Sequence, residues 1–162
     1  MLATAISLLA LLATFYQLYL QRVHNEKSLK PLPQIDFLDR KNQIFIHIQN
    51  NGVGPYVIDR LIFIKGTKSY DHIAQCLDLD PKTFMHMRVT SLHKKTVLPE
   101  NHLEVFSIVF DEDELDSKMD QVREQLAGIR LKVIGSDIYD NPVVIDRSFD
   151  WFMRYVSDVD IA

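Results

Sequence analysis

The side chains best suited to metal or acid–base chemistry are six histidines, which lie far apart along the chain. They are His24, His47, His72, His86, His93 and His102. None belongs to an H-E-x-x-H motif or stands near cysteines at the spacing of a zinc site. Met85-His86-Met87 combines ligands that suit copper(I), but a strand would place neighbouring residues on opposite faces. We therefore predict no metal site and no cofactor.

A second candidate is the glycine-rich segment at residues 50–55, which reads N-N-G-V-G-P. Glycines let backbone N–H groups approach an anion such as phosphate. The segment has neither the lysine of a P-loop nor a following helix, and its proline removes one donor. We therefore interpret Asn51, Gly52, Gly54 and Pro55 as a structural turn between two strands, in which glycine supplies special backbone angles.

Residues 111–120 are rich in carboxylates, which suggests calcium as a ligand. An EF-hand loop starting at Asp111 would need glycine and glutamate where the chain has Asp116 and Val122. The same carboxylates suit the first turn of a helix, whose dipole favours negative charge. A basic partner docking on this acidic run is the remaining alternative.

Nucleophilic catalysis has no support in the sequence. There is no G-x-S-x-G motif, and the single cysteine, Cys76, falls in a segment that we predict to be helical. Asp78 and Asp80 precede a proline and are interpreted as loop residues. The sequence predicts no catalytic residues, and we expect the protein not to be an enzyme.

Strands dominate the elements that must position these residues. Ile44, Ile46 and Ile48 alternate with polar residues over 43–49, which is typical of a strand with one buried face. Residues 56–65 are apolar at more positions, which predicts a strand buried on both faces. Further strands are predicted at 34–38, 103–110 and 129–134, and a hairpin is predicted from 136–139 to 143–146.

Two helices are predicted, at residues 69–77 and 111–127. The second has a single apolar stripe and ends at Gly128; the stripe consists of Leu115, Met119, Val122 and Leu126. Many short strands with few helices predict a mainly β fold, an immunoglobulin-like β-sandwich.

The first 21 residues contain no charged side chain. At about 1.5 Å per residue, about 20 residues cross a hydrocarbon layer of about 30 Å. A cleaved signal peptide would begin with basic residues and end at a small-residue site, and a buried helix would have a polar face. We therefore predict a transmembrane helix at 1–21, a basic juxtamembrane spacer at 22–33 and a β-sandwich domain at 34–162.

Charge predicts which side of the membrane the domain occupies. Arg22, Lys27 and Lys30 follow the span, whereas no basic side chain precedes it. Positive residues stay on the cytoplasmic side, so we expect a single-pass protein of the plasma (bacterial inner) membrane with a cytoplasmic domain. Residues 31–162 carry 15 basic and 21 acidic side chains, which argues against nucleic acid as the partner.

The turn at residues 50–55 and the His24-Asn25 … Lys30-Pro31 junction resemble a bacterial protein type. This type comprises uncharacterised single-span membrane proteins whose β-sandwich carries an N-x-G-x-G-P turn. The chain departs from it at Tyr56, where a small residue is commoner, and at residues 138–142, where a hairpin glycine is missing. The resemblance implies the architecture and no shared catalytic activity.

Three functions are compatible with these patterns. The span, the short spacer and the lack of a recognisable site favour an interaction or accessory module that holds a protein partner near the lipid bilayer. A small-ligand sensor coupled to the span would need a concave apolar pocket with convergent polar groups. An enzyme would need a cluster of titratable residues in a cleft.

Overall fold

The computed structural model describes residues 2–40, 42–111 and 116–155. An apolar helix, α1 (Leu2–Ser28), comes first along the chain. A second helix, α2 (Asp116–Ala127), follows later in the sequence and connects two strands that belong to different sheets. The remaining regular structure is β, with single-turn or two-turn 3₁₀ helices at Ile73–Gln75 and Asp150–Tyr155. The prediction of a mainly β fold behind an apolar helix is confirmed.

Helix α1 is long and apolar enough to cross a membrane, and no part of its apolar stretch is buried by the rest of the protein. It ends at Ser28, shortly before Pro31, which cannot continue a helix. The helix therefore continues through residues 22–28 of the predicted spacer. Only residues 29–32, which we call the linker, connect it to the first strand.

In the described residues, nine strands form two antiparallel sheets. In chain order they are β1 (Pro33–Arg40), β2 (Gln43–Asn50), β3 (Tyr56–Lys65), β4 (Lys68–Tyr70), β5 (Met85–His86), β6 (Lys95–Val97), β7 (His102–Val109), β8 (Ile129–Ser136) and β9 (Pro142–Ser148). The four-stranded sheet has the order β1-β2-β7-β5, and the five-stranded sheet has the order β4-β3-β8-β9 with β6 also paired to β3. This arrangement is compatible with the immunoglobulin-like sandwich that the sequence predicts.

The inner faces of both sheets supply the apolar core. Ile44, Ile46 and Ile48 of β2 are fully buried, as are Leu131 and Val133 of β8. Each such side chain contributes about 1.5–3 kcal/mol through removal of apolar surface from water. Helix α2 adds its buried side chains to the same core, namely Met119, Val122 and Leu126.

The strands predicted at residues 34–38, 43–49, 56–65 and 103–110 are confirmed as β1, β2, β3 and β7. The strand predicted at 136–139 is wrong. Strand β8 continues to Ser136, and the following residues form the turn to β9.

The helix predicted at residues 69–77 is also wrong. Ser69 pairs with Ile64 in the short hairpin between β3 and β4, which takes the start of the segment into the sheet. Only one 3₁₀ turn, Ile73–Gln75, remains of the predicted helix. Helix α2 begins at Asp116 in the described part of the chain, whereas residues 112–115, with Leu115 of the predicted stripe, lie outside the described residues.

Candidate functional site at the junction of helix and sandwich

Four connecting segments meet at one end of the sandwich, which we call the junction end. They are the linker and the loops at residues 51–55, 98–101 and 137–141. The strand pairings place them together, since Pro33 pairs with Asn50, Gln49 with His102, Tyr56 with Val97 and Ser136 with Pro142. Both sheets therefore contribute loops to the end from which α1 emerges.

Asn50, at the end of β2, joins the linker, the 51–55 loop and strand β6 through one buried side chain. Its Nδ2 donates to the carbonyls of Gly54 (2.8 Å) and Val97 (3.1 Å). Its Oδ1 accepts from the backbone N–H groups of Leu32 and Gly52, both at 3.1 Å. The amide thus uses two donor hydrogens and two acceptor positions. We call this arrangement the Asn50 clamp.

The glycines of the turn allow the linker to approach. A Cβ on Gly52 would lie 2.7 Å from the carbonyl carbon of Pro31, and a Cβ on Gly54 would overlap the carbonyl oxygen of Leu29. Among the described glycines only Gly66 has a positive φ. The requirement for glycine that the structure shows in this turn is backbone proximity, which excludes a side chain at both positions.

The other two predicted turn residues lie on either side of these glycines. The N–H of Asn51 donates to the carbonyl of Leu32 at 3.0 Å, which adds a second bond between turn and linker. Pro55 comes directly before β3 and cannot donate to the ladder. The turn motif contains Asn50, but the sequence pattern does not indicate that its side chain holds the linker.

Tyr56 stands where a small residue is commoner in the bacterial proteins that the chain resembles. It is fully buried at the junction end. Its hydroxyl donates to the carbonyl of Val143 at 3.1 Å, and burial raises the pKa of this phenol above its ordinary value. Gly135 makes room for the ring, since a Cβ there would lie 2.7 Å from the Tyr56 Cε2 atom. The residue therefore fastens β9 to β3 beside the Asn50 clamp.

The predicted basic residues lie between the apolar part of α1 and the sandwich. Arg22 is exposed and its Nε lies 3.1 Å from the Oε1 of Glu26, one turn along the helix. Lys27 is in the last turn of α1, where the helix dipole favours a cation. Lys30 is in the linker, and its carbonyl accepts from the N–H of Gly54 at 3.4 Å.

The loop at residues 137–141 folds back against α1. A crevice of about 370 Å³ separates them, and its lining includes Val23, Lys27, Lys30 and Asp137. Tyr139 lines a second crevice together with a strip of α1 from Leu18 to Glu26. The loop therefore lies beside the last turns of α1, between the linker and the end of the apolar stretch.

Asp137 closes this loop with a nearly inaccessible carboxylate. Its Oδ1 accepts from the N–H groups of Tyr139 (2.8 Å) and Asn141 (2.9 Å), and its Oδ2 accepts from the Asn141 side chain. Burial alone would raise the pKa of Asp137, but these hydrogen bonds, with help from Lys30, lower it below its ordinary value. The carboxylate is therefore ionised at neutral pH and occupied by its own turn.

The outer face of the four-stranded sheet carries stacked rings, and we call it the histidine face. His47 stacks on Phe45 at 3.9 Å and on His102 at 4.3 Å between ring centroids. Its Nε2 lies 3.4 Å from the Oε2 of Glu104, whose Oε1 accepts from the Ser107 hydroxyl at 2.5 Å. Because the carboxylate separates serine from histidine, the imidazole is not placed to take the serine proton.

The titration of the histidines follows from their surroundings. Burial and then the neighbouring His102 lower the pKa of His47, although Glu104 opposes the shift. Burial, His86 and Arg88 lower the pKa of His72. Both rings are therefore mainly neutral near pH 7. Within the described ranges, no group of three or more His, Cys, Asp or Glu side chains is arranged to hold a metal ion.

The outer face of the five-stranded sheet is different, and we call it the aliphatic face. It presents five partly or fully exposed side chains, namely Val57, Ile62, Ile64, Ile134 and Val144. Charged side chains share this face, since Ile62 pairs with Lys132 and Ile64 with Arg130 across β3 and β8. The Nε of Arg130 lies 2.5 Å from the Oδ1 of Asp146. The prediction that β3 is buried on both faces is therefore wrong, since only its inner residues reach the core.

No protein-family model matches the chain. No curated protein aligns with it significantly. The resemblance to bacterial single-span membrane proteins stays a prediction.

Proposed function

We propose that this protein is a single-span membrane protein whose β-sandwich binds a protein partner beside the bilayer without catalysing a reaction. The observation that carries the proposal is the Asn50 clamp, which bonds the linker to the turn and to the five-stranded sheet. A flexible tether would let the domain sample many orientations. A clamped linker holds one orientation, so less ordering is required when a partner binds.

The apolar surface of α1 supports the membrane anchor. Its leucines remain exposed to the surroundings, for example Leu9 at 66% and Leu11 at 52% of their full accessible area. Such a helix is stable in a lipid bilayer because its backbone bonds are satisfied internally. The basic residues Arg22, Lys27 and Lys30 follow the span, which favours a cytoplasmic sandwich at the plasma (bacterial inner) membrane.

The aliphatic face is the surface that we propose for the protein partner. Ile62, Ile64 and Ile134 are only partly buried and do not belong to the side chains packed against the core. Removing such side chains from water on binding yields about 25 cal/mol per Å² of apolar area. Charged residues lie among the aliphatic ones, since Lys132 pairs with Ile62 and Arg130 with Ile64, so the partner would have to complement both charge and apolar surface.

The test uses a photo-reactive amino acid in the full-length chain, in membranes of the native host. We expect a discrete adduct when the probe replaces Ile62 on the aliphatic face and none when it replaces His47 on the histidine face. A flexible Gly-Ser segment inserted between Ser28 and Leu29 leaves the Asn50 clamp intact but frees the sandwich from α1. This insertion should greatly reduce the adduct, whereas equal adducts from both faces, or an adduct unaffected by the insertion, would contradict the proposal.

The side of the membrane is tested with Leu92→Cys. Leu92 is 88% exposed, whereas the natural Cys76 is buried and its pKa is raised by burial to about 11, so it reacts poorly. We expect an impermeant thiol reagent to label the new cysteine only after the cells are permeabilised. Labelling in intact cells would place the sandwich outside the cell and would leave the anchor itself in place.

The second candidate function is a small-ligand sensor coupled to the span. The crevice of about 370 Å³ between α1 and the 137–141 loop favours it, because its size suits a small molecule and a ligand there would touch both parts. A polar compound that raises the melting temperature of the full-length protein, with loss of the effect in Lys30→Gln, would favour the sensor. A screen without such a compound would favour the interaction module.

A further inference from the structure

The junction end carries more apolar surface than the rest of the sandwich. Outside α1, ten large apolar side chains are exposed among the described residues, and five of them lie at this end. These five are Leu32, Val53, Leu98, Ile138 and Tyr139. They come from all four connecting segments, so together they form one apolar end rather than scattered exposures. Such concentration marks a surface that meets another apolar phase.

The second crevice lies between the 137–141 loop and the last turns of α1. Tyr139 lines it together with a strip of α1 that runs from Leu18 through Arg22 to Glu26. With a rise of about 1.5 Å per residue, this strip begins about 15 Å and ends about 3 Å before the end of α1 at Ser28. The loop therefore lies beside the last turns of α1, next to the end of the uncharged stretch. If α1 spans a bilayer, this part of the helix lies in the headgroup region.

The chemistry of the loop suits that boundary. Tyrosine combines an apolar ring with a polar hydroxyl and is enriched at membrane interfaces. Tyr16 and Tyr19 on α1 have the same character. The charge of Asp137 is occupied by the hydrogen bonds of the turn and lies beside Lys30. Asp140 is then the exposed carboxylate of the loop.

We propose that the junction end of the sandwich rests on the bilayer and that the 137–141 loop inserts Ile138 and Tyr139 into the headgroup region, as a second membrane contact beside α1. This inference rests on the proposed membrane anchoring. Ile138 and Tyr139 are 45% and 41% exposed, so their apolar surface is still available to lipid. The insertion would prevent the sandwich from tilting about the end of α1, which complements the Asn50 clamp.

The test uses nitroxide labels on single cysteines in the full-length protein, with Cys76 changed to Ala, in phosphatidylcholine–phosphatidylglycerol vesicles. Labels at Ile138→Cys and Tyr139→Cys are compared with a label at Val109→Cys. Val109 is apolar and 66% exposed but pairs with Gln43 at the opposite end of the sandwich. We expect the ratio of collisions with oxygen to collisions with a water-soluble nickel chelate to be several-fold higher at 138 and 139.

A fourth label, at Leu11→Cys, separates the two proposals. An apolar ratio at Leu11 with the same aqueous ratio at 138, 139 and 109 overturns the inserted loop and leaves the anchor standing. An aqueous ratio at Leu11 overturns the anchor and the inserted loop together. Spin–spin broadening at 138 that persists at high lipid excess would show that a second copy covers the loop, which also overturns insertion into lipid.

Discussion

The two sheets have similar inner faces and different outer faces. In β2, isoleucines point inward and His47 lies on the outside among Phe45, His102 and Glu104. In β3, aliphatic side chains lie on both sides, and the outer ones are only partly buried. The fold needs only the inner faces for its core. The outer aliphatic residues therefore contribute less to stability than the core residues, and the part of their apolar surface that stays exposed is available for binding.

The largest effect is expected from reversing the polarity of the inner face. Ile46→Asp would bury a carboxylate in the core and should cost about 4 kcal/mol or more of the free energy of unfolding. His47→Asp, on the outer face, should cost far less. Thermal melting of both variants tests the difference, and similar losses would contradict the assignment of inner and outer residues.

The second effect concerns the residue that connects the two sheets. Asn50→Ala would remove four hydrogen bonds and leave backbone groups of Leu32, Gly52, Gly54 and Val97 without this partner. We expect a loss of about 3 kcal/mol in urea unfolding. The exposed neighbour provides the control, because Asn51→Ala should change stability by less than about 0.5 kcal/mol. Equal and small losses would mean that the side chain does not hold the junction.

A smaller change in stability is expected on the aliphatic face. Ile62→Ser should cost about 1 kcal/mol or less, because the side chain is not packed in the core. The same variant should abolish the adduct formed by a photo-reactive residue at position 134, on the paired strand β8. His47→Ser on the histidine face should leave that adduct intact. If both variants weaken the adduct equally, the two faces do not differ in binding.

The smallest effect that we expect is a pH dependence of the free energy of unfolding, caused by His47 on the histidine face. Because the pKa of His47 is lowered from 6.5 in the folded state, the unfolded chain binds more protons as the pH falls below that value. Stability should therefore decrease between about pH 7.5 and about pH 5.5. His47→Gln should remove part of this decrease, on the order of 1 °C in melting temperature. The remaining part includes His72, whose pKa is shifted in the same direction.

Local periodicity was sufficient to predict much of the fold. The alternation around Ile46 identifies β2 and its inner face, because side chains of a strand alternate with a period of two. Residues 69–77 were assigned wrongly because the pairing of Ser69 with Ile64 is a tertiary contact that local helix signals do not contain. The partial exposure of Ile62 depends likewise on whether another element covers the sheet.

The junction could be predicted only in part. The motif N-N-G-V-G-P indicates a turn, but the need for glycine arises from the approach of Leu29 and Pro31, about 20 residues earlier in the chain. Asn50 rather than Asn51 is buried, and its side chain bonds to the carbonyl of Val97, which is distant in the sequence. Contacts between distant segments set both properties, so the sequence pattern located the turn without revealing what it holds.

The Asn50 clamp also determines the order in which a newly made chain reaches its final form. Helix α1 and the linker leave the ribosome first, whereas Val97 and the strands β8 and β9 follow much later. On the proposed anchoring, α1 enters the membrane while the linker is still loose, and the sandwich then folds beside the lipid surface. The first connection in the sequence is therefore among the last to be fixed, and a nascent chain halted before Val97 would be inserted but not yet oriented.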